Sequence, residues 1–258
     1  MTKITAVMNA HREGLLAGMS IASFVEARTH AEGRGLEVEP LFILDRPDTL
    51  TRQMFADNPV QGARIEVTDF GDPGLSRNYA AEIGTGNYIT YLDSDDLWSF
   101  NWITEATAFM AMQNKPTILH SEMNWVFGEV RNFWIHADSE APDFDPSYLA
   151  VGNYWDAMSF LKREMLLEQP FHQNQLKDGY GHEDWHWNCA TYLAGIAHRP
   201  VPGTVHMKRR RAGSQMARCA DSDVVPFITD IYRMSRKAHL ATAKVNQTPN
   251  KPVTDSHG

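Results

Sequence analysis

Over the first 115 residues, short apolar runs alternate with stretches of helical periodicity, and this alternation constrains the fold more than any other feature of the chain. Ile4 to Met8 reads as a buried strand, and Glu13 to Ala31 as a helix with Leu15, Leu16, Met19, Ala22 and Val25 near one face, stopped by Gly33 and Gly35. A second strand, Val38 to Leu44, ends at Asp45, and a helix follows from Asp48 to Ala56 with Thr49 and Arg52 on its wet side. The third strand is Arg64 to Thr68. Pro73 and Ser76 introduce a helix through Tyr79, Ala80 and Ile83, Gly84 and Gly86 end it, and Tyr88 to Leu92 forms a fourth strand. Strands alternating with helices in this way predict a mostly parallel, Rossmann-like α/β sheet flanked by helices.

Beyond a helix at Phe100 to Met112 the pattern changes. Ile118 to Ser121, Asn124 to Phe127 and Val130 to Ile135 read as strands without intervening helices, which predicts a small antiparallel extension of the sheet. A polar loop (Asp138 to Pro146), a helix (Glu183 to Ala194, with Trp185, Cys189, Tyr192 and Leu193 close to one face), a strand (Thr204 to Lys208) and a last helix (Val224 to Leu240) complete the chain. The expected organisation is one domain over residues 1–240, a first half to 115 and a second from 116, with a mobile polar tail at 241–258. A chain of 258 residues with 43% hydrophobic residues can bury the core this requires.

Charge and cysteine content narrow the function classes. With 24 Lys and Arg against 32 Asp and Glu, the formal charge of −8 argues against a broad nucleic-acid surface. Cys189 and Cys219 make neither a disulfide framework nor a cysteine zinc site. No apolar run approaches the length of a membrane span, and the opening residues lead straight into a strand, so the expectation is a soluble, cytoplasmic protein without a transmembrane segment.

An α/β sheet raises the question of a nucleotide, yet the first strand is followed by Asn9-Ala-His-Arg-Glu-Gly14 rather than a glycine pattern for pyrophosphate, and no GxxxxGK[ST] loop occurs. A diphosphate bound here needs another source of neutralisation, and carboxylates holding a hard cation such as Mg²⁺ or Mn²⁺ supply one. Asp93-Ser94-Asp95-Asp96 stands at the carboxyl end of the fourth strand, where ligands bind in open α/β sheets. By themselves these residues read equally as a helix cap with solvated loop charges.

The flanking residues separate the two readings. Gly74-Leu-Ser76-Arg77-Asn78, followed by Gly84-Thr-Gly86-Asn-Tyr88-Ile89-Thr-Tyr-Leu92-Asp93-Ser94-Asp95-Asp96, resembles the core signature of family 2 glycosyltransferases with the GT-A fold, Gly-x-Ser-x-Ala/Arg-Asn and then Gly-x-Tyr-Ile-x-x-Leu-Asp-x-Asp-Asp. The resemblance implies a GT-A sheet that binds a sugar nucleotide in its first half and an acceptor in its second. It makes Asp95 the direct metal ligand, puts Asp93 on the ribose or the metal's waters, and places Ser94 and Arg77 near the nucleotide. Asn9 and Asp45 fit the first two strand ends by position and polarity, although the local sequences depart from the family turns, and Asp45 also reads as a turn former. A uridine donor, a hexosyl group and a bacterial polysaccharide product are expectations of the family.

In the second half, Glu183-Asp184 at a helix start resembles the family's acidic pair, whose Asp is the general base on the acceptor hydroxyl; a helix N-terminus also favours carboxylates for structural reasons alone. Arg209 and Ser214 match an Arg followed five residues later by Ser, a pairing implied to hold the leaving diphosphate, with His206 as an additional metal ligand; a charged edge strand is the bland alternative. Trp185 and Trp98 are candidates for stacking on sugar. His182-Glu183-Asp184-Trp185-His186 also spells HExxH, the zinc-hydrolase helix. The reading is therefore a metal-dependent inverting glycosyltransferase. A catalytically silent sugar-nucleotide-binding module and a zinc hydrolase are the alternatives.

Overall fold

A computed structural model describes residues 2–211 and 223–233. Ser214, residues 234–240 of the expected final helix and the 241–258 tail lie outside the described residues. The elements in chain order are β1 (Lys3–Ala10), α1 (Ala17–Gly33), β2 (Glu37–Asp45), α2 (Thr49–Asp57), β3 (Arg64–Thr68), α3 (Pro73–Ile83), β4 (Tyr88–Asp93), β5 (Leu97–Trp98), α4 (Trp102–Ala111), β6 (Thr117–Gly128), β7 (Asn132–Ile135), β8 (Ser159–Lys162), α5 (Arg163–Glu168), α6 (Glu183–Leu193) and β9 (Ala197–Arg210). They build one nine-stranded sheet in the order β3-β2-β1-β4-β8-β6-β9-β5, with β7 on the side of β6.

β3, β2, β1 and β4 are parallel, as the alternating pattern predicts. Because the chain steps outward from β1 to β2 and β3 and then returns to β4 on the other side of β1, the carboxyl ends of β1 and β4 flank the crevice where such sheets hold ligands. The extension is antiparallel where β8 joins β4 and β6, and where β7 joins β6. One expectation is corrected here: β6 and β9 run parallel, from Thr117 opposite Ala197 to Gly128 opposite Arg210. The two short strands expected at 118–121 and 124–127 are a single β6, interrupted by a register shift between Ser121 and Met123.

The helical face expected for α1 is also corrected. Ala17, Ser20, Ile21, Phe24, Ala27 and Ala31 are buried, whereas Leu15 and Met19 are 69% and 62% exposed. Small residues let the helix lie close to the sheet, with Phe24 stacked against Trp98 and edge-on to Phe42. Trp98 and Trp102 complete this layer, and Ala80, Tyr91, Leu166 and Trp187 pack on the opposite face of the sheet. The apolar side of α6 meets a third cluster around Leu149, Trp155, Cys189 and Ile231. Residues 224–230 are not helical: Val225 bridges to Tyr180, and helix appears only from Ile231.

Two glycines of the signature are explained by close approach. A Cβ on Gly86 would lie 2.4 Å from the Thr5 backbone nitrogen, and a Cβ on Gly74 would lie 3.1 Å from the His172 carbonyl oxygen. The first lets β4 return flush against β1, and the second lets α3 seat on the segment after α5. Asn78 completes that seat, donating from Nδ2 to the Phe171 carbonyl at 2.9 Å and accepting the Phe171 N–H on Oδ1 at 2.9 Å.

Candidate functional site

A cavity of about 480 Å³ opens at the carboxyl ends of β1, β2 and β4, closed on the far side by the start of α6 and the end of β9. Of the expected site residues, Asn9, Asp45, Arg77, Asp93, Asp95, Glu183, Asp184 and Arg209 line it. Ser94 and His206 do not: Ser94 is buried and donates to Glu13 Oε2 at 2.9 Å, and His206 is fully buried edge-on to Trp102, with ring centroids 4.6 Å apart. His206 and Lys208 lie on the same side of β9, but His206 sits two residues deeper, in the core, while Lys208 lines the cavity. Burial holds His206 neutral, its pKa pushed down to about 3 against the pull of Asp156. Trp98 is likewise a core residue, 2% exposed.

Arg77 organises the floor of the cleft. It rises from the first turns of α3, a helix capped by Asp72, which accepts the Leu75 N–H at 3.0 Å. Only 3% exposed, its guanidinium reaches Asp93 at 3.1 Å through Nη2 and Glu183 at 3.0 Å through Nη1. Burial alone would favour the neutral form, but Asp93, Glu183 and Asp184 outweigh it and raise the pKa further, so Arg77 is a fixed cation. Glu183 is held on its other oxygen by Asn174, which also hydrogen-bonds Asp72. Asp72, Asn174, Glu183, Arg77 and Asp93 thus form one continuous chain of charge-assisted hydrogen bonds from the α3 cap to the end of β4.

Asp184 follows Glu183 but faces the cleft. Its Oδ1 accepts the Trp185 N–H at 2.8 Å, and Asn153 donates to Oδ2 at 3.4 Å. Burial, reinforced by the Glu183 charge and opposed by Arg77, raises its pKa to about 7. A carboxyl titrating near neutrality beside the cleft can accept a proton there.

The opposite wall is acidic but compensated. Asp96, behind Asp95, accepts the Arg209 N–H at 2.6 Å and lies 3.5 Å from Lys208, which also meets Asp156 at 3.2 Å. Burial lifts the Asp96 pKa to about 7, with Lys208 opposing and Asp95 and Asp93 adding to the rise. Asp95 pairs with Arg211, Nε to Oδ2 at 2.8 Å, and Arg211 also approaches Glu13 at 3.4 Å. Burial raises the Glu13 pKa, and the Asp95 charge adds to the rise. Arg209 lies over the Phe127 ring at 4.5 Å. At the carboxyl end of β2, Asp45 Oδ1 accepts the Phe70 N–H at 2.7 Å and the Thr68 hydroxyl at 3.0 Å. Asp45 therefore braces the segment after β3 rather than its own Pro-containing turn, while still lining the cavity.

Sequence reasoning missed Glu13, Asp72, Asp156 and Asn174. Glu13 and Asp72 carried a signal, since each follows a strand of the parallel half; Asp156 and Asn174 lie in irregular segments with no pattern to mark them. The HExxH match dissolves. His182 precedes α6 in a left-handed conformation, φ 57°, while His186 is buried against the Phe227 carbonyl and tilted against His172, with ring centroids 4.3 Å apart. The two imidazoles therefore serve different surroundings, and among the described residues no three His, Cys, Asp or Glu side chains are grouped to hold an ion.

The sequence pattern of Glycosyl transferase family 2 matches residues 23–168. No curated protein matches the chain. Among solved structures, S. aureus TarS 1–349 in complex with UDP-GlcNAc is 14% identical, with a TM-score of 0.57 over 95% of this chain and 74% of that one. The chain spans 45% of the longer TarS structure. The mannosyltransferase PcManGT from Pyrobaculum calidifontis, in complex with GDP-Man and Mn²⁺, is 15% identical, with a TM-score of 0.57 over 96% of this chain and 65% of that one. Mannosyl-3-phosphoglycerate synthase from Rubrobacter xylanophilus is 12% identical, with a TM-score of 0.56 over 98% and 79%. These neighbours share the GT-A fold. With its signature glycines seating α3 and β4, and its Asp-x-Asp-Asp run at the mouth of the cleft, the chain belongs to glycosyl transferase family 2.

Proposed function

We propose that the chain is a metal-dependent, inverting glycosyltransferase acting on a nucleoside-diphosphate sugar, a UDP-sugar in the first instance. The observation that carries this reading is the Arg77 bridge. One buried guanidinium ties Asp93, on the donor side, to Glu183, next to the proposed base, so the two halves of the reaction are held at a fixed spacing.

The charge of the cavity lining, rather than a preformed cluster of ligands, favours a hard divalent cation. Nine carboxylates line the cavity (Glu13, Asp45, Asp72, Asp93, Asp95, Asp96, Asp156, Glu183 and Asp184) against five Lys and Arg, an excess of oxygen ligands and negative charge that a bound diphosphate would worsen without a cation. Asp95, with Asp93 behind it, would hold Mg²⁺ or Mn²⁺, which offsets charge on the departing nucleoside diphosphate. Asn9, with both side-chain polar atoms unpartnered, and Asp45 line the nucleotide end. Arg209 and Arg210 face the leaving diphosphate from β9. Asp184 takes the proton of an acceptor hydroxyl as its oxygen bonds to the anomeric carbon and the bond to the diphosphate breaks on the opposite face; one displacement inverts the configuration. The second half, from 116 onward, forms the acceptor side, and a polysaccharide or other glycoconjugate is the acceptor class.

Thermal stability of the purified protein with UDP, GDP, dTDP and CDP, each with Mn²⁺ or with EDTA, tests the donor assignment, since a ligand of the native state raises the midpoint. A rise with one nucleotide that EDTA removes supports the reading and names the base. No rise with any of them in folded protein sinks it. Asp184→Asn should retain the rise and lose transfer; a variant that binds and still turns over removes Asp184 as the base, and a wild-type protein that binds without transfer to any acceptor is the silent module.

A further inference from the structure

Two arginines serve the acidic residues of this cleft, and they differ in a way that separates their roles. Arg77 is 3% exposed and locked between two carboxylates at 3.0 and 3.1 Å. Arg211 is 28% exposed, makes one short contact, Nε to Asp95 Oδ2 at 2.8 Å, and one long one, Nη2 to Glu13 Oε1 at 3.4 Å. The first is a fixed part of the floor. The second is a solvent-reached cation resting on the same carboxylate that the functional reading gives to a divalent ion.

Asp95 retains 15% exposure with Arg211 against it. A cation approaching its Oδ2 meets the guanidinium there, and two positive charges on one carboxylate oxygen repel at close range. Displaced from Asp95, Arg211 would stand in the cavity beside Arg209 and Arg210, all three of which line it. Three clustered guanidinium groups require an anion, and the ligand that brings one is a diphosphate, which Arg recognises through paired N–H donors.

We propose that Arg211 is a displaceable counter-ion that competes with the divalent cation for Asp95 in the donor-free protein and turns to the donor's diphosphate when the cation binds. This rests on the reading of Asp95 as a metal ligand. It makes the empty cleft a poor metal site and couples metal to nucleotide: each tightens the other because both are needed to re-partner Asp95 and Arg211.

The test is direct titration of Mn²⁺, read from the electron paramagnetic resonance of the free ion, on full-length wild type, Arg211→Gln, Arg211→Lys, Arg210→Gln and Asp95→Asn, without nucleotide and then with UDP. Melting temperature first establishes that each variant is folded. Without nucleotide, Arg211→Gln should bind Mn²⁺ about tenfold more tightly than wild type, the effect of removing one charge from the ligand's immediate surroundings. Arg211→Lys should stay close to wild type, and Arg210→Gln, which removes a cavity charge that does not touch Asp95, should gain much less. With UDP, the tightening of Mn²⁺ seen in wild type should shrink in Arg211→Gln. Equal affinity in wild type and Arg211→Gln, or an equal gain in Arg210→Gln, overturns the proposal. If Asp95→Asn binds Mn²⁺ as well as wild type, or no variant binds it at all, the metal reading of Asp95 falls, and this proposal with it. If Asp95→Asn loses Mn²⁺ while Arg211→Gln gains nothing, the proposal falls alone.

Discussion

Replacing Asp184 with Asn should make the protein more stable at alkaline pH while abolishing its activity, and the pH dependence of that gain tests the environment assigned to the side chain. Burial is the largest cause of the rise in its pKa from 3.8 to about 7, with the Glu183 charge second and Arg77 opposing. Folding therefore favours the protonated carboxyl. Its contribution to stability is full below about pH 4 and is lost as pH rises through 7, where the folded protein must hold the anion. The displacement corresponds to a ceiling of about 4 kcal/mol, and access of cleft water to the carboxylate lowers this to about 2 kcal/mol. For a chain of this size that is a rise of roughly 4 to 8 °C in melting temperature at pH 8. Asn mimics the protonated form, its carbonyl keeping the Trp185 N–H bond, so the gain should vanish near pH 4.5. Melting curves of both proteins across pH 4.5 to 8.5 measure it. A difference that is flat with pH, or a destabilised variant at pH 8, refutes the argument that Asp184 is held at the cost of stability. The same pKa predicts that transfer by the wild type rises with pH through an apparent midpoint near 7.

The other predictions concern residues whose roles the structure separates. Arg77→Met leaves Glu183 and Asp93 unpaired across the floor and should cost about 3 to 5 kcal/mol in urea denaturation, together with metal-dependent nucleotide binding. Trp98→Ala opens a cavity beside Phe24 and should cost a similar ~3 to 5 kcal/mol, yet nucleotide affinity in the folded fraction should be unchanged, because the ring is core and touches no donor. His186→Ala should leave bound-metal content, read by elemental analysis, unaltered, since its imidazole faces Phe227 and His172 rather than the cleft. Loss of stoichiometric zinc in that variant would restore the hydrolase reading.

The parallel half was legible in the sequence because β1, β2 and β4 are short apolar runs between breakers and β3 alternates apolar with polar residues; Arg64–Thr68 and Pro73–Ile83 fall where the pattern puts them. The face of α1 was not, because its buried stripe is small and partly polar while the larger Leu15 and Met19 project outward. Composition-based periodicity counts side-chain size, and a helix lying close to a sheet selects against it. β8 and α5 escaped notice because four- and six-residue elements carry too little period to read, and the β6–β9 pairing because parallel partners 80 residues apart leave no local trace. The cleft was legible where the family signature runs through it. His206 misses the cleft for a simpler reason: it shares its side of β9 with Lys208, and a residue type suited to metal does not say how far along the strand the core ends.

Most of that signature turns out to be scaffold, and the distinction explains how so few residues position the chemistry. Gly86 and Gly74 permit close approach, Ser76 bonds back to the Asp72 carbonyl at 3.0 Å, and Asn78 grips both backbone groups of Phe171. The Ser76 bond is local to the cap of α3; the glycine and Asn78 contacts join distant segments, the turn before β4 to β1 and α3 to the segment that leads to α6. Arg77 sits in the middle of this run, its backbone carbonyl accepting the Tyr91 hydroxyl at 3.0 Å. It is therefore held from three directions before its guanidinium meets either carboxylate. A long flexible side chain loses about 2 kcal/mol of rotamer freedom when fixed, and prior packing on α3 absorbs that cost during folding rather than when substrate binds. The distance between Asp93 and Glu183 is then set by the rigid part of the protein, and the mobile charge, Arg211, is left where ligands arrive.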